Sequence, residues 1–212
     1  AIDNVTISKV VDPNANWKIT NNSTSNAGWE FYDAVGYQGR VSSDNSQFIG
    51  VNTIIESGSN VTSTTLASPI IDASAYKTLR LNFEQDFLYQ GATVKIEASD
   101  NNGASWSTVY SKNSIVIFSA TEVNLDTYAG KPNVKIRFKF HETGFKGWWF
   151  IDNVKFTGLL KQKFTWTSNP GNFISTEQNP EITDLQESTM FKVLAVNTEG
   201  CFTEDSVFVK VN

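Results

Sequence analysis

Apolar and polar residues alternate with a period of two along three stretches of the chain. Leu79, Leu81, Phe83, Phe87 and Tyr89 are interleaved with Arg80, Asn82, Glu84 and Asp86. Val94, Ile96 and Ala98 are interleaved with Lys95, Glu97 and Ser99, and Val134, Ile136, Phe138 and Phe140 with Lys135, Arg137 and Lys139. Successive side chains of a strand point to opposite faces, so the pattern predicts strands with one buried and one wet face, as in antiparallel sheets. A slip of one residue would bury charges, which fixes the register. No segment carries an amphipathic helical period of useful length. Turn-forming residues gather at 21–26, 57–60, 100–103 and 144–147, where strands should end. Many strands with spaced turns predict an all-β, antiparallel jelly-roll sandwich.

The pattern changes near Gly158-Leu159-Leu160. Beyond it come Phe164-Thr165-Trp166, the run Phe191 to Val196, and the run Val207 to Val211. These predict two domains, a jelly roll over 1–158 and a small β module over 159–212. The tail is short for an immunoglobulin-like sandwich, which takes about 100 residues. Either one or two strands are missing, or the segment 4–11 supplies one. Ile2-Asp3-Asn4-Val5 also reappears as Ile151-Asp152-Asn153-Val154, by chance or as the closing strand of a preceding copy.

Composition narrows the function. Of 212 residues, 40% are hydrophobic and 18% charged, which argues against disorder. Abundant Phe, Trp, Ser, Thr and Asn suit pleated strands and polar turns. A net charge of −5 disfavours nucleic acid, whose phosphates need clustered Lys and Arg, and leaves carboxylates free for a hard cation such as calcium. Cys201 is the single cysteine, so no intrachain disulfide forms; bacterial surface modules commonly do without them. No apolar run reaches the roughly 18 residues that span a bilayer, so no membrane insertion is expected. With no leader visible, the chain reads as a mature fragment of a larger secreted or cell-surface protein. Two glycosylation sequons, at Asn4 and Asn60, carry little weight.

Catalytic constellations are not evident. His141 is the single histidine, which rules out any site needing two, and reads as a surface or packing residue at a strand end. Cys201 has no histidine nearby in sequence and reads as a buried, inert thiol in a hairpin. No phosphate loop, zinc spacing or nucleophile elbow is present. A pair of carboxylates for glycoside hydrolysis is not selected by any spacing. A non-enzymatic module is the expectation, with a hydrolase fragment the weakest alternative. Trp148, Trp149 and Phe150 run consecutively and so occupy both faces of their strand. One face enters the core; the other is either covered or offered to a ligand. Flat rings beside polar groups suit sugars, which present apolar C–H faces and hydroxyls. Trp148, Trp149 and Tyr89 are therefore the candidate ligand-binding residues, with Tyr37 and Phe145 as possible neighbours. Arg80, Glu84, Lys95, Glu97, Arg137 and Lys139 read as a solvated face of cross-strand ion pairs.

Three ordered pieces carry a family resemblance. They are Ser68-Pro69-Ile70-Ile71-Asp72, then Ser99-Asp100-Asn101-Asn102-Gly103-Ala104-Ser105-Trp106, then Trp149-Phe150-Ile151-Asp152-Asn153-Val154. Over about two thirds of the chain this resembles the jelly-roll modules of the MAM, reelin-repeat and bacterial cleaved-adhesin type, with their W-x-I-D-[DN]-V closing strand and Asp-box hairpin. The Asp-box departs from the pattern: Asn101 stands for the usual Asp and Ser105 for Thr. It reads as a folding device in which Gly103 takes positive φ and Trp106 covers the turn. The tail, through Phe164-Thr165-Trp166, Asn197-Thr198-Glu199-Gly200-Cys201 and Asp205 to Val209, resembles PKD-like or immunoglobulin-like modules of secreted Bacteroidetes proteins, without their opening strands.

The resemblance implies a structural calcium ion near one edge of the sandwich, with Asp152 of the closing strand among its ligands. Asp44 lies about where such modules place another acidic residue, and Asp86 sits on a polar strand face. It also implies a binding or adhesion module that recognises a carbohydrate or a protein surface, with neighbouring domains of the same polypeptide as further partners. A purely structural spacer beside a catalytic domain is the main alternative.

Overall fold

The computed structural model describes residues 5–7, 16–33, 42–54, 61–88, 91–144 and 147–211. Tyr89, Tyr37, Phe145 and Asn60 lie outside them. The chain divides into two units, Val5–Gly158 and Leu159–Asn212. The larger unit contains β1 (Val5–Ile7), β2 (Lys18–Asn21), β3 (Glu30–Tyr32), β4 (Phe48–Asn52), β5 (Val61–Ala67), β6 (Arg80–Leu88), β7 (Thr93–Ser99), β8 (Ser107–Lys112), β9 (Val116–Asn124), β10 (Lys135–Thr143) and β11 (Trp148–Gly158). A short 3-10 turn at Asp126–Tyr128 is the one helical element among the described residues.

Every named pairing is antiparallel. The front sheet runs β3-β4-β11-β6-β9, with β1 also on β11; the back sheet runs β2-β5-β10-β7-β8. Strands cross repeatedly between the sheets, giving the expected jelly-roll-like sandwich. The alternation read from the sequence sets the inner faces. Leu81, Phe83 and Phe87 of β6 and Val94, Ile96 and Ala98 of β7 are at most 2% exposed, as are Ile136, Phe138 and Phe140 of β10. Phe138 joins the two layers: its ring lies 5.4 Å from Phe83 and 5.6 Å from Trp149, both edge-to-face, and 6.3 Å from Trp29. Such pairs add to the burial of apolar area.

Gln85 sits inside this core with its amide fully partnered. Gln85 Oε1 accepts from Trp149 Nε1 at 3.0 Å, while its Nε2 donates to Tyr110 Oη at 2.8 Å and Thr121 Oγ1 at 2.7 Å. The amide therefore ties β6 to β11, β8 and β9 at one point. Glu142 is the contrasting case. It is buried on the inner face of β10, with Oε2 2.6 Å from Thr53 Oγ1, and burial pushes its carboxyl above the usual range.

The Asp-box hairpin joins β7 to β8. Asn101 Oδ1 accepts from Ser105 N at 2.9 Å, and Ser99 Oγ accepts from Gly103 N at 2.9 Å. Gly103 has φ +89°, and a Cβ there would stand 3.0 Å from the Trp106 ring. The substituted residues thus still build a closed turn under the indole.

Several local expectations change. His141 lies within β10, not after it, and is exposed. The charged row divides between the two sheets. Arg137 pairs with Glu97 at 2.5 Å, but Arg80 pairs with Asp126 and Glu122, and Lys95 stands directly opposite Lys139. Val5–Ile7, within the segment offered as a strand for the tail, instead pairs with Phe156–Gly158 of β11.

The smaller unit is one antiparallel sheet in the order β13-β12-β14-β15, from β12 (Gln162–Asn169), β13 (Ile174–Ser175), β14 (Thr189–Asn197) and β15 (Phe202–Val209). Phe191 is its buried centre, edge-to-face with Phe173 at 5.6 Å. Cys201 is exposed, not buried as expected. The Asn197 side chain accepts from the Glu199 and Cys201 amides, and this tight β14–β15 turn holds Cys201 outside the core.

Replacing Gln85 with Leu should destabilise the larger unit by about 1–3 kcal/mol, because it strands the Trp149 donor. Adding Trp149→Phe should recover part of that loss. Urea unfolding of the two single variants and the double variant checks this, and additive losses would refute the shared bond.

Candidate functional site

The outer face of the front sheet gathers most of the residues singled out from the sequence. β11 crosses it carrying Trp148, Phe150 and Asp152 outward, with Trp149 and Ile151 inward. On β6 the outward residues opposite are Leu88, Asp86 and Glu84. A bulge then interrupts β11 between Asp152 and Lys155, with Asn153 at φ 52°. The extra residue leaves Asp152 and Asn153 beside one another on the rim while Val154 and Phe156 turn back inward, both buried. Bulges re-aim side chains in this way.

The aromatic residues do not form an open platform. Trp148 is 7% exposed, Phe150 4% and Trp149 0%, so none of the three presents a ring face to solvent. Trp149 belongs to the sandwich core. Trp148 and Phe150 form a second, outer cluster with Phe48, against which Tyr32, Ile54 and Leu88 pack. Phe48 stacks on Tyr32 at 5.5 Å and meets Phe150 edge-to-face at 5.4 Å. Gly50 makes room: a Cβ there would lie 2.1 Å from Phe150 Cδ1.

Beside this cluster the expected acidic residues converge in part. The Ser42 hydroxyl lies 2.7 Å from Asp44 Oδ1 and 2.7 Å from Asp152 Oδ2. One hydroxyl proton serves only one of these contacts. Both are hydrogen bonds when a protonated Asp152 donates to Ser42 and Ser42 donates to Asp44. The electrostatics run the same way. Burial raises the Asp152 pKa, and the negative charges of Asp44 and Glu84 add to the rise. Hydrogen bonds from Ser46 and Ser42 lower that of Asp44 to about 2. A cation would replace the shared proton: the donors are all oxygen, which suits a hard ion such as calcium. Asp86, 4% exposed, lines the same recess from β6. Among the described residues, no group of three or more His, Cys, Asp or Glu is placed to hold a metal.

The sequence reading missed Phe118. It lies on β9 where the pairing with β6 slips, at φ 31°, and is 54% exposed. A bulky residue at positive φ is strained, and such strain tends to gather at functional positions. Phe118 lines the recess with Ser42, Glu84, Asp86, Phe150 and Asp152. From Glu84 the surface continues into an open groove lined by Asn82, Ala120, Glu122, Asn153 and Lys155. The signal for it was the apolar run Ile115-Val116-Ile117-Phe118, which abandons period two inside a strand.

The fold is thus an all-β sandwich of the jelly-roll kind with a polar groove across one outer face. No protein-family model matches the sequence, and no curated protein matches it. Among solved structures, the K2 cleaved adhesin domain of Lys-gingipain superposes with a TM-score of 0.50 at 11% identity, over 72% of this chain and 97% of that domain. The K1 cleaved adhesin domain of Lys-gingipain from Porphyromonas gingivalis gives 0.49 at 15% identity, over 73% and 97%. A family 11 carbohydrate-binding module of a cellulosomal cellulase from Clostridium thermocellum gives 0.44 at 16% identity, over 76% and 98%. The first of these shows that the larger unit shares its fold with a cleaved adhesin domain.

Without added cation, the stability contributed by Asp152 should be greatest at low pH and fall as pH rises through its raised pKa. Asp44 contributes in the opposite sense, with stability lost as pH falls from the ordinary carboxylate value towards 2. Asp152→Asn should remove the first dependence and leave the second. Thermal melts from pH 2 to 7 in chelator check this, and an unchanged profile in the variant would refute it. Gly50→Ala should cost about 1–3 kcal/mol through the clash with Phe150, read in the same melts.

Proposed function

We propose that the chain is a non-catalytic binding module of a secreted or cell-surface bacterial protein, and that it recognises carbohydrate along the outer face of the front sheet. The observation that carries this reading is one exposed, strained ring, Phe118, in a recess that adjoins at Glu84 a groove of amide, carboxylate and ammonium groups in Asn82, Glu84, Asn153 and Lys155. A pyranose offers an apolar C–H face to such a ring, and its hydroxyls both donate to carboxylates and accept from amides and Lys. The carboxylates Glu84 and Glu122 bias the groove towards neutral sugars. Open grooves across a rigid sheet suit chains of sugars better than small metabolites, which favour enclosed pockets.

Calcium is the proposed brace. Asp44, Asp152 and Ser42 would hold it, tying the turn at 42–46 to the bulge of β11. The ion would act by fixing the groove's rim, with no part in any reaction. The fold shared with a cleaved adhesin domain supports a role in recognition at surfaces, and the smaller unit then serves as a spacer towards neighbouring domains.

A screen of neutral glycans against the chain and its Phe118→Ala variant tests the reading. Removing a stacked ring should weaken binding by about 1–3 kcal/mol, using base-on-aromatic stacking as the yardstick, without lowering Tm. Failure of the chain to bind any glycan would overturn it. Calcium should raise Tm over chelator, since a ligand selective for the native state stabilises it, and Asp152→Asn should abolish the shift.

A further inference from the structure

The outer face of the back sheet carries the opposite charge from the front groove. Strand register places Lys18 of β2, Lys135, Arg137 and Lys139 of β10, and Lys95 of β7 on this face, against a single carboxylate, Glu97. The inner positions of the same strands are the buried apolar residues, so these side chains point away from the core. Five cations on one face of a chain with net charge −5 is a marked segregation.

Two features show that the charge is not spent within the fold. Glu97 is taken by Arg137, whose guanidinium also lies 4.4 Å from the centre of the Trp106 ring. No carboxylate pairs with Lys18, Lys95, Lys135 or Lys139 among the described residues. Lys95 and Lys139 moreover stand directly opposite one another on adjacent strands, an arrangement that destabilises a sheet. Both residues are half-buried, as expected when a lysine stem lies along a sheet with its charged end towards water.

Their surroundings are low and hydroxyl-rich. One row across the sheet reads Thr20, Thr65, Lys139, Lys95 and Ser111; a neighbouring position of β10, His141, lies between Ser63 and Thr93. Strands spaced about 4.8 Å apart, with a two-residue repeat of about 6.8 Å, make a flat lattice of cations and hydroxyls.

We propose that this face binds an acidic polysaccharide, an extended chain of carboxylated or sulfated sugars. The lysines neutralise the repeating anions, and the Thr and Ser hydroxyls meet those of the sugar between them. A second copy of the chain fits less well. Of the carboxylates on its front face, Asp86 and Asp152 are buried, and those left do not repeat in a row as the lysines do. The site is separate from the front groove and does not depend on it.

The test is binding of the full chain to heparin, to polygalacturonate and to neutral dextran at low and high salt, with duplex DNA as a competitor. Binding to the anionic polymers but not to dextran, lost as salt rises, is expected. Heparin alone would assign sulfated sugars, polygalacturonate alone uronates, and both a requirement for charge only. Each lysine removed should weaken binding roughly fivefold, as for lysines beside an anionic surface. The double variant Lys95→Ser with Lys139→Ser should therefore lose roughly twenty-fivefold. Lys139→Glu keeps the result independent of folding, because it places a carboxylate opposite Lys95 and should hold or raise Tm while binding falls. The proposal is overturned if neither anionic polymer binds, or if both variants bind as well as the parent chain. It is also overturned if DNA competes as strongly as polysaccharide, or if light scattering shows that the salt-sensitive species is a self-associated chain.

Discussion

The contact between the two sheets through Phe138 is the constraint on which the larger unit depends. Phe138 comes from the back sheet, Phe83 and Trp149 from the front, and their rings meet at 5.4 and 5.6 Å. Once Trp149 is committed to that contact, its neighbours Trp148 and Phe150 are forced to the outer side, since side chains alternate along a strand. Gln85 then locks the arrangement by receiving the indole N–H. The outer aromatic cluster, the placing of Asp152 and the groove beside it all follow from that one choice of inward residue.

The fold class was legible because period two is a direct consequence of strand geometry, and three strands showed it with little interruption. The resemblance singled out Asp44 and Asp152, and the structure brings both to one hydroxyl. What sequence could not convey was the state of the outward rings. Three consecutive aromatics announce that both faces of a strand are apolar, but not that Phe48 and Tyr32 pack over the outer one. Gly50 was the available clue, since a glycine inside a strand often marks close approach of another group. The bulge at Asn153 leaves no compositional trace, because it depends on how two strands slip past one another; at Phe118 the broken alternation of Ile115 to Phe118 marked an irregular strand, but not which side chain it would expose. Cys201 was misplaced for a related reason: a cysteine usually packs inward, but the turn made by Asn197 decided otherwise.

The two outer faces of the sandwich divide the ionisable residues by sign. Glu30, Glu84, Asp86, Glu122 and Asp152 share the front with Arg80 and Lys155, whereas the back is cationic apart from Glu97. A modest net charge conceals this polarity. Two sheets packed about 10 Å apart keep the opposed charges separated by an apolar layer, where they neither pair nor cancel. A single small scaffold can thereby present two surfaces of different chemistry without any change in its core.

The last strand of the smaller unit carries a different lesson. All eight residues of β15 are exposed, it ends its sheet, and Phe202, Val207, Phe208 and Val209 give it the makings of a self-adhesive segment. Glu204 and Asp205 interrupt that apolar stretch near its middle. Stacking a second such strand alongside would bring like charges together, so these two acids act as gatekeepers against fibrous aggregation.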